Sequence, residues 1–311
     1  MTTRLTARTA FLLMLPPLLW AGNATVGRMS VGSVSPLLLN ALRWLLAFAI
    51  LLPLGWRVLS AGSPLWRRLS HFLVLSLLGV GSYNAFQYLA LQTSTPINVT
   101  LITSSLPMWM LCVGALWYGE RPHSRQIAGA VVSLVGVLLV MSRGDWTTLA
   151  NVQLVTGDLF VLVGIIAWTF YSWMLARPGD ASIRTWPWAE FLLAQIALGA
   201  LWASLAAFGE WSAGGTHIEW NGWVIALVAY VAIGPSLIAY RCWGIGVQQA
   251  GPAVASFFNN LTPVFAAILS AIVLGEPPRW FHGVAFVLIV GGIAISSKPA
   301  PAVSVPIRSD R

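Results

Sequence analysis

Long runs of apolar residues alternate with short polar stretches along nearly the whole chain. Each run lasts about 20 residues, the length that an α-helix needs to cross the hydrocarbon core of a bilayer. The runs lack the apolar–polar alternation of barrel strands, and helices are then the remaining way to satisfy every backbone N–H and C=O in lipid. The pattern predicts ten transmembrane helices, near residues 10–30, 36–56, 71–90, 96–117, 124–141, 156–176, 187–208, 220–243, 252–274 and 280–297.

Composition supports an all-α integral membrane protein. Hydrophobic residues make up 58% of the 311 residues and charged residues only 8%, whereas a soluble domain carries about 25% charged residues. We therefore expect most of the surface to face lipid, with no sizeable soluble domain. The net charge of +8 lies in the short connections rather than on one face of a domain, so it does not indicate a nucleic-acid partner. The first apolar run is interpreted as a retained helix rather than a signal peptide.

The positive charges predict the orientation of the chain. With ten helices, thirteen Lys and Arg residues fall on the side of the two termini and three on the other side. Because cytoplasmic connections are rich in Lys and Arg, both termini are predicted to be cytoplasmic. The Pro-rich, polar residues 298–311 are predicted to form a disordered cytoplasmic tail.

An internal repeat divides the chain into two halves. Six pairs of residues share one separation of 156 positions: Gln92 and Gln248, Pro96 and Pro252, Pro107 and Pro263, Glu120 and Glu276, Pro122 and Pro278, Gly136 and Gly292. The pattern predicts two related five-helix repeats, residues 1–148 and 149–297. Because five is odd, the second repeat would be inverted, which is typical of secondary transporters with a central cavity near the midplane.

Several segments resemble the EamA repeat of the drug/metabolite transporter superfamily. They are LLWAGNATVGR in helix 1, LLLNALRWLLA in helix 2, LPMWMLCVGALWYGERPHSRQIAGAVVSLVGVLLV in helices 4 and 5, GDLFVLVGIIAWTFYSWML in helix 6 and LTPVFAAILSAIVLGEPPRWFHGVAFVLIVGGIAIS in helices 9 and 10. The aromatic-rich helices look most like the YddG-type amino-acid exporters. The resemblance implies ten helices, a location in the bacterial inner (plasma) membrane, and export of amino acids or related metabolites.

Polar and aromatic residues at mid-depth are candidates for a substrate site, because polar groups in lipid are costly. Trp20 and Asn23 lie three positions apart, as do Trp168 and Tyr171. Tyr83 and Gln87 lie four apart, so each pair shares a helix face. The predicted substrate-binding residues are Trp20, Asn23, Tyr83, Gln87, Trp109, Trp168, Tyr171, Asn259 and Asn260. Aromatic faces suit apolar side chains and ammonium groups, and amides can bond both ends of a zwitterion. The alternative interpretation is helix packing.

Pro107 and Pro263 occupy equivalent positions in the two repeats. Proline removes a backbone hydrogen bond and kinks a helix. The two prolines are predicted hinges that let each half rock, and a fixed kink is the alternative.

Other polar residues in or near the helices receive structural interpretations. Arg43 is expected to extend its guanidinium to the interface, with binding of a substrate carboxylate as the alternative. Glu120 and Glu276 are expected to cap a helix or pair with an arginine, and Asp158 to cap helix 6.

Cys112 and Cys242 lie in apolar runs and are interpreted as buried neutral thiols, so neither a metal nor another cofactor is expected. Several glycines, Gly283 and Gly291 among them, are interpreted as sites of close helix packing.

Missing residue types narrow the function. Phosphate-bearing substrates need basic residues in the cavity, yet the single lysine, Lys298, lies in the tail. Helix 1 has no carboxylate for cationic drugs, and no carboxylate lies at mid-depth for a proton relay. We therefore predict facilitated or weakly coupled movement of a zwitterion by alternating access. Together with the resemblance, this implies export of aromatic and other apolar amino acids and related metabolites.

Alternative functions stay open at this point. One is a proton-coupled drug/metabolite efflux pump of the same superfamily, and another is a membrane sensor or scaffold. An enzyme is not expected, because metalloprotease, P-loop and Ser–His or paired-Asp patterns are missing. The expected partners are a small-molecule substrate and the lipid bilayer, and we expect a monomer, with a homodimer as the alternative.

Overall fold

The computed structural model describes residues 5–274 and 279–297, and these form a bundle of α-helices. The α-helices are α1 (Ala7–Met29), α2 (Pro36–Gly55), α3 (Pro64–Arg67), α4 (Leu69–Ser76), α5 (Tyr83–Thr93), α6 (Pro96–Thr103), α7 (Leu106–Trp117), α8 (Ser124–Met141), α9 (Thr147–Ala150), α10 (Thr156–Ala176), α11 (Trp188–Ser212), α12 (Gly222–Val231), α13 (Ala239–Ala250), α14 (Pro252–Asn259), α15 (Thr262–Leu274) and α16 (Trp280–Ser296). Two π-helical segments, π1 (Leu77–Ser82) and π2 (Ala232–Ile238), join α4 to α5 and α12 to α13.

Within the described ranges, nine helical stretches are long and apolar enough to cross a membrane. They are Ala7–Gly27, Pro36–Leu59, Leu69–Thr93, Asn98–Trp117, Ser124–Met141, Thr156–Ala176, Trp188–Ser212, Gly222–Ala250 and Pro252–Leu269. The tenth predicted crossing falls on α16, an apolar helix of 17 residues. The predicted all-helical membrane fold is confirmed, and the count of ten crossings stays a prediction.

Helices pack in pairs that link the two predicted halves. Helix α8 packs most extensively against α16, and α2 against α11. Helix α1 packs against α13, and α10 correspondingly packs against α5. Such matched pairings are what two related halves would produce, whereas the inverted orientation of the halves stays a prediction. The predicted tail 298–311, Glu276 and Pro278 lie outside the described residues.

Both predicted prolines lie where a span is broken into two helices. Helix α6 ends at Thr103 and α7 begins at Leu106, so Pro107 lies in the first turn of α7. Helix α14 ends at Asn259 and α15 begins at Thr262, with Pro263 as its second residue. A proline in the first turn costs no hydrogen bond, because that N–H has no intrahelical partner. Each predicted hinge therefore lies beside a break in its span, and hinge motion itself stays a prediction.

The irregular backbone at π1 and π2 is stabilised by side chains. Tyr240 donates its hydroxyl to the Gly79 carbonyl of π1 at 2.5 Å, and Asn40 donates to the Gly81 carbonyl at 3.2 Å. Trp20 donates its indole N–H to the Pro235 carbonyl of π2 at 3.2 Å. Hydrogen bonds from side chains of other helices replace those that a regular helix would make. They are needed because lipid offers the backbone carbonyls no hydrogen-bond donors. Single π turns inside helices often mark functional sites.

The two ends of the bundle can be told apart by their contacts. The hydroxyl of Thr9 in α1 donates to the Gln249 side-chain oxygen at the end of α13 at 2.8 Å, so α1 begins at the end of the bundle where α13 stops. We call this end the N-terminal face and the other end the opposite face. On the N-terminal face Arg68 pairs with Asp180, and hydrogen bonds from Ser182 and Arg68 hold the pKa of the Asp180 carboxyl at about 2.

Glu120 forms an ion pair with Arg177, and pairing with an arginine is one of its two predicted structural roles.

The cysteine prediction is correct for Cys242, which is buried, and wrong for Cys112, which is exposed. Cys112 lies in α7 and lines an open groove together with Leu159 and Leu162 of α10. Gly283 and Gly291 also differ from the prediction, because open space surrounds the position of a Cβ at both.

Asp158 has the predicted capping role and additional partners. Its carboxylate accepts from the Val155 backbone N–H at 2.8 Å, from Asn98 Nδ2 at 2.7 Å and from the Ser94 hydroxyl. One buried carboxylate therefore caps α10 and fixes the start of α6 against it at the opposite face.

Replacing Asp158 by Ala should lower the thermal unfolding midpoint of the detergent-solubilised protein. The change removes the acceptor of three hydrogen bonds, and each hydrogen bond to a charged group contributes about 1.5–3 kcal/mol. Asp158→Asn is the matched control, because the amide oxygen can still accept from Val155 and Asn98 while its NH₂ donates to the Ser94 hydroxyl. An equal fall in the midpoint for both variants would show that charge, rather than the number of acceptors, stabilises this contact.

Candidate functional site

Six aromatic rings meet in the middle of the bundle around Trp168. The ring centroid of Trp168 lies 4.6 Å from that of Tyr83, 4.8 Å from Tyr171, 5.2 Å from Tyr240, 5.3 Å from Trp20 and 5.5 Å from Trp243. Trp168 is fully buried, with 0% of its surface exposed. We call these six residues the Trp168 cluster. Edge-to-face and tilted ring pairs of this kind stabilise packing by about 0.5–1.5 kcal/mol each.

Four helices deliver these rings. Trp168 and Tyr171 lie three apart on α10, and Tyr240 and Trp243 lie three apart on α13, so each pair projects from one helix face. Trp20 comes from α1. Tyr83 is the first residue of α5, directly after π1. The structure thus brings together four of the five predicted aromatic residues.

Tyr240 and Trp243 were not predicted as site residues. Their three-residue spacing was a usable sequence pattern, but the predicted span ended at residue 243 and placed both near an interface. In the structure the helix runs on to Ala250, so both residues lie well inside the bundle.

The polar edges of the cluster are satisfied, with one exception. Tyr171 donates to Gln195 Oε1 at 3.0 Å, Trp243 donates to the Ser172 hydroxyl at 3.1 Å, and the Tyr83 hydroxyl accepts from Gln87 Nε2 at 3.1 Å. The Trp168 indole N–H is buried without a partner. An unpaired buried donor costs about 1–3 kcal/mol. A ligand with a hydrogen-bond acceptor could therefore satisfy the Trp168 indole N–H.

The Trp168 cluster separates two adjoining cavities at the N-terminal face from a third cavity on its other side. A cavity of about 210 Å³ reaches Tyr171 and Tyr240 and is also lined by Trp188, Arg241 and Gln248 at the N-terminal face. A second cavity, of about 400 Å³, adjoins it there and shares Gln248 and Arg184 with it.

Beyond the cluster, towards the opposite face, lies a small cavity of about 50 Å³. Trp20, Tyr83, Gln87, Asn259 and Asn260 are among its lining residues, so five of the nine predicted residues meet there. The path between the faces is closed by the rings, and the wider space is on the N-terminal side.

The predicted amides have different roles. Asn260 donates to the Ser133 hydroxyl at 2.8 Å, while its own Oδ1 is buried without a partner. Gln87 holds the Tyr83 hydroxyl. Asn23 does not face the small cavity, since its Oδ1 accepts from the Tyr88 hydroxyl at 2.9 Å.

Trp109 does not join the Trp168 cluster. Its indole N–H donates to the Ser105 hydroxyl at 3.2 Å, and the ring lines a lateral groove of about 740 Å³ with Met108, Leu159 and Leu162. The break before α7 directs Trp109 to this groove instead of the bundle centre, so its predicted place in the central cavity is not found in this conformation.

Arg43 does not extend to the interface, and that prediction is wrong. The side chain is 0% exposed. Its guanidinium donates to Ser236, Asn84 and Tyr88, so neighbouring helices supply inside the bundle the acceptors that an extended side chain would find in water. Asn84 and Tyr88 adjoin Tyr83 and Gln87 in the sequence, but the convergence of α1, α2, α5 and π2 on Arg43 is visible only in the fold.

The comparisons with known proteins identify the family. The model of the EamA-like transporter family matches residues 7–142 and again residues 155–298. The aromatic amino acid exporter YddG of Ancylobacter novellus is 29% identical, over 90% of this chain and 93% of that protein. The uncharacterized inner membrane transporter YedA of Escherichia coli K12 is 24% identical, over 94% and 93%.

A solved crystal structure superposes with a TM-score of 0.72 over 94% of this chain and 97% of that chain. At 23% identity this likeness shows the fold alone. The two family matches cover most of the sequence, and the described residues supply the apolar helices that the family requires. The chain therefore belongs to the EamA-like transporter family and is a multi-pass membrane transporter.

Proposed function

We propose that this transporter exports aromatic and other apolar amino acids by alternating access. The observation that carries the proposal is the Trp168 cluster, which closes the path between a wide cavity and a small one at mid-depth. Its rings offer apolar faces to an aromatic side chain and attract an ammonium group. The unpaired Trp168 N–H and Asn260 Oδ1 offer a donor and an acceptor to a zwitterion. The similarity to an aromatic amino acid exporter supports the same substrate class.

Alternating access is proposed from the arrangement of the two halves. The family model matches twice, and the helix breaks before Pro107 and Pro263 lie 156 positions apart, as the two prolines do. The proposal includes ten crossings, an inverted repeat and cytoplasmic termini in an inner membrane. The wider cavities at the N-terminal face would then be open to the cytoplasm, as loading of an exporter requires.

The movement is proposed to be facilitated or weakly coupled. In the part of the chain that the structure describes, every carboxylate lies in a connection or in the first or last turn of a helix: Glu120, Asp145, Asp158, Asp180, Glu190, Glu210 and Glu219. A proton relay would need a titrating group at mid-depth.

Counterflow in proteoliposomes tests the substrate class. Vesicles loaded with unlabelled tryptophan should take up labelled tryptophan, phenylalanine and tyrosine at least about tenfold faster than glutamate or lysine, a difference of about 1.4 kcal/mol. Protein-free liposomes and lysine-loaded vesicles are the controls. Equal rates for aromatic and charged amino acids would contradict the proposal, and uphill accumulation driven by a pH gradient would contradict the uncoupled mode.

A further inference from the structure

Arg43 is a permanently charged group in the interior of the bundle. It lies in α2, is fully buried, and arginine does not lose its proton in proteins. A charge at this depth is costly, and such residues commonly mark substrate or ion pathways. Its neighbours and its unmet hydrogen bonds therefore bear on function.

Neutral groups from three other elements fix the guanidinium. Its Nε donates to the Ser236 hydroxyl at 2.9 Å, and its Nη1 donates to Asn84 Oδ1 and to the Tyr88 hydroxyl, each at 2.8 Å. Asn23 Oδ1 lies 3.5 Å from Nη1. The second terminal nitrogen, Nη2, is buried and has no partner. Two of the three guanidinium nitrogens are thus held in place, while Nη2 keeps free donors.

The described residues provide no counter-charge for Arg43. Glu120 pairs with Arg177, and Asp180 pairs with Arg68, both at the N-terminal face. Glu210 accepts from the backbone N–H groups of Leu37 and Leu38. An uncompensated buried charge destabilises a protein by several kcal/mol. An anionic ligand that entered the bundle would remove this cost, and a carboxylate oxygen would accept a strong, charge-assisted hydrogen bond from the free Nη2.

Two hydrogen-bonded routes join Arg43 to the Trp168 cluster. Asn84 accepts from Arg43 and donates from its Nδ2 to the Tyr240 hydroxyl at 2.9 Å. Ser236, which accepts from Arg43, follows Pro235, whose carbonyl accepts from Trp20. The charged group is thus separated from the rings by one residue, Asn84, on one side and by two, Ser236 and Pro235, on the other, a spacing that suits the carboxylate and side-chain subsites of an aromatic amino acid.

We propose that Arg43 binds the carboxylate of the transported amino acid through its free Nη2 group when the Trp168 cluster opens. The inference rests on the proposed function and deepens it, because it makes the carboxylate a requirement for transport. Aromatic amines without that group would be poor substrates. The neutral groups around Arg43 orient the guanidinium without neutralising it, so that the substrate supplies the counter-charge.

The test compares tryptophan with tryptamine, which lacks only the carboxylate. Each is used to compete with labelled tryptophan in counterflow. The wild-type protein should prefer tryptophan by about 10- to 150-fold, the factor that corresponds to a charged hydrogen bond of about 1.5–3 kcal/mol. Arg43→Gln should weaken competition by tryptophan by about the same factor and leave tryptamine unchanged. Arg43→Lys, which keeps the charge and loses the fork, should retain part of the preference.

Arg68→Gln is the matched control, because it removes one positive charge at the N-terminal face, away from this network. It should keep the full preference for tryptophan. If Arg43 served only to hold helices together, Arg43→Gln would weaken competition by tryptophan and by tryptamine to the same extent. A folded Arg43→Gln protein with the wild-type preference therefore overturns the inference.

A second measurement needs no variant at Arg43. The methyl ester of tryptophan keeps the ring and the amine and has no charge on its carboxyl group. The wild-type protein should prefer tryptophan to this ester by a similar factor, and equal competition overturns the inference even if Arg43→Gln does not fold. If the wild-type protein showed no amino-acid counterflow at all, that result would instead overturn the proposed function, and the role of Arg43 with it.

Discussion

Trp168→Ala is expected to reduce tryptophan counterflow at least about tenfold per folded molecule. Trp168 contacts all five other rings of the cluster, and each ring pair contributes about 0.5–1.5 kcal/mol beyond burial. The substitution removes both the central aromatic face and the indole N–H that has no partner. Initial rates in proteoliposomes measure the effect, normalised to protein that elutes as a single species. Trp168→Phe, which keeps a ring and loses the N–H, should have an intermediate rate.

Loss of stability must be separated from loss of the site. Removal of a buried Trp or Phe ring costs about 3–5 kcal/mol wherever it lies. Phe281 provides the matched control, because it is 3% exposed and belongs to a separate small cluster with Leu139 and Ala285. Phe281→Ala should lower the unfolding midpoint and keep the counterflow rate per folded molecule. Equal losses of rate in Trp168→Ala and Phe281→Ala would remove the Trp168 cluster from the transport path.

Gly129→Ala is expected to destabilise the contact between α8 and α16. A Cβ at residue 129 would lie 2.6 Å from the Gly292 carbonyl oxygen and 2.9 Å from Ser296 Cβ, and the reverse contact, from residue 292 to the Gly129 carbonyl, is equally short. Because the obstructing atoms are backbone, the helices must move apart. Overpacking of this kind costs about 1–3 kcal/mol. The thermal midpoint in detergent should fall by roughly 2–12 °C, taking about 2–4 °C per kcal/mol.

Gly291→Ala is the control for this effect. Gly291 precedes Gly292 on the same helix, and open space surrounds the position of its Cβ. Replacement of an unhindered helical glycine by alanine stabilises a protein by about 0.4–1 kcal/mol. The two substitutions should therefore move the midpoint in opposite directions. A fall of similar size in both would mean that the close contact between α8 and α16 is not the cause of the destabilisation.

The membrane fold could be predicted because lipid leaves few solutions. Apolar runs of about 20 residues suffice to indicate helices when every backbone group must be bonded inside the chain. The same reasoning could not foresee π1 and π2, since nothing in LLGVGS or AIGPSLI requires a π turn. These segments persist because partners from other helices, such as Asn40 and Trp20, bond their carbonyls. Such contacts depend on tertiary packing and have no local pattern.

Helix periodicity correctly predicted which candidate residues share a face, whereas residues near helix ends and breaks were misplaced. The spacing of Trp168 and Tyr171 correctly gave one face of α10. Tyr240 and Trp243 were missed because α13 continues past the predicted end of its span. Trp109 was misplaced because the break before Leu106 redirects the residues after it. Arg43 was misjudged because its acceptors come from distant parts of the sequence.

The three indole rings of the Trp168 cluster have an optical consequence. Trp20, Trp168 and Trp243 form a nearly equilateral triangle, with centroids 5.3, 5.5 and 5.5 Å apart. At these separations their electronic transitions couple, and the fixed, chiral arrangement gives a strong circular dichroism band in the near ultraviolet. That band reports tertiary packing of aromatic rings, whereas the far-ultraviolet bands report helix content. Separation of the rings during transport would weaken the first signal and leave the second unchanged, so the unlabelled protein carries its own spectroscopic probe of gate opening.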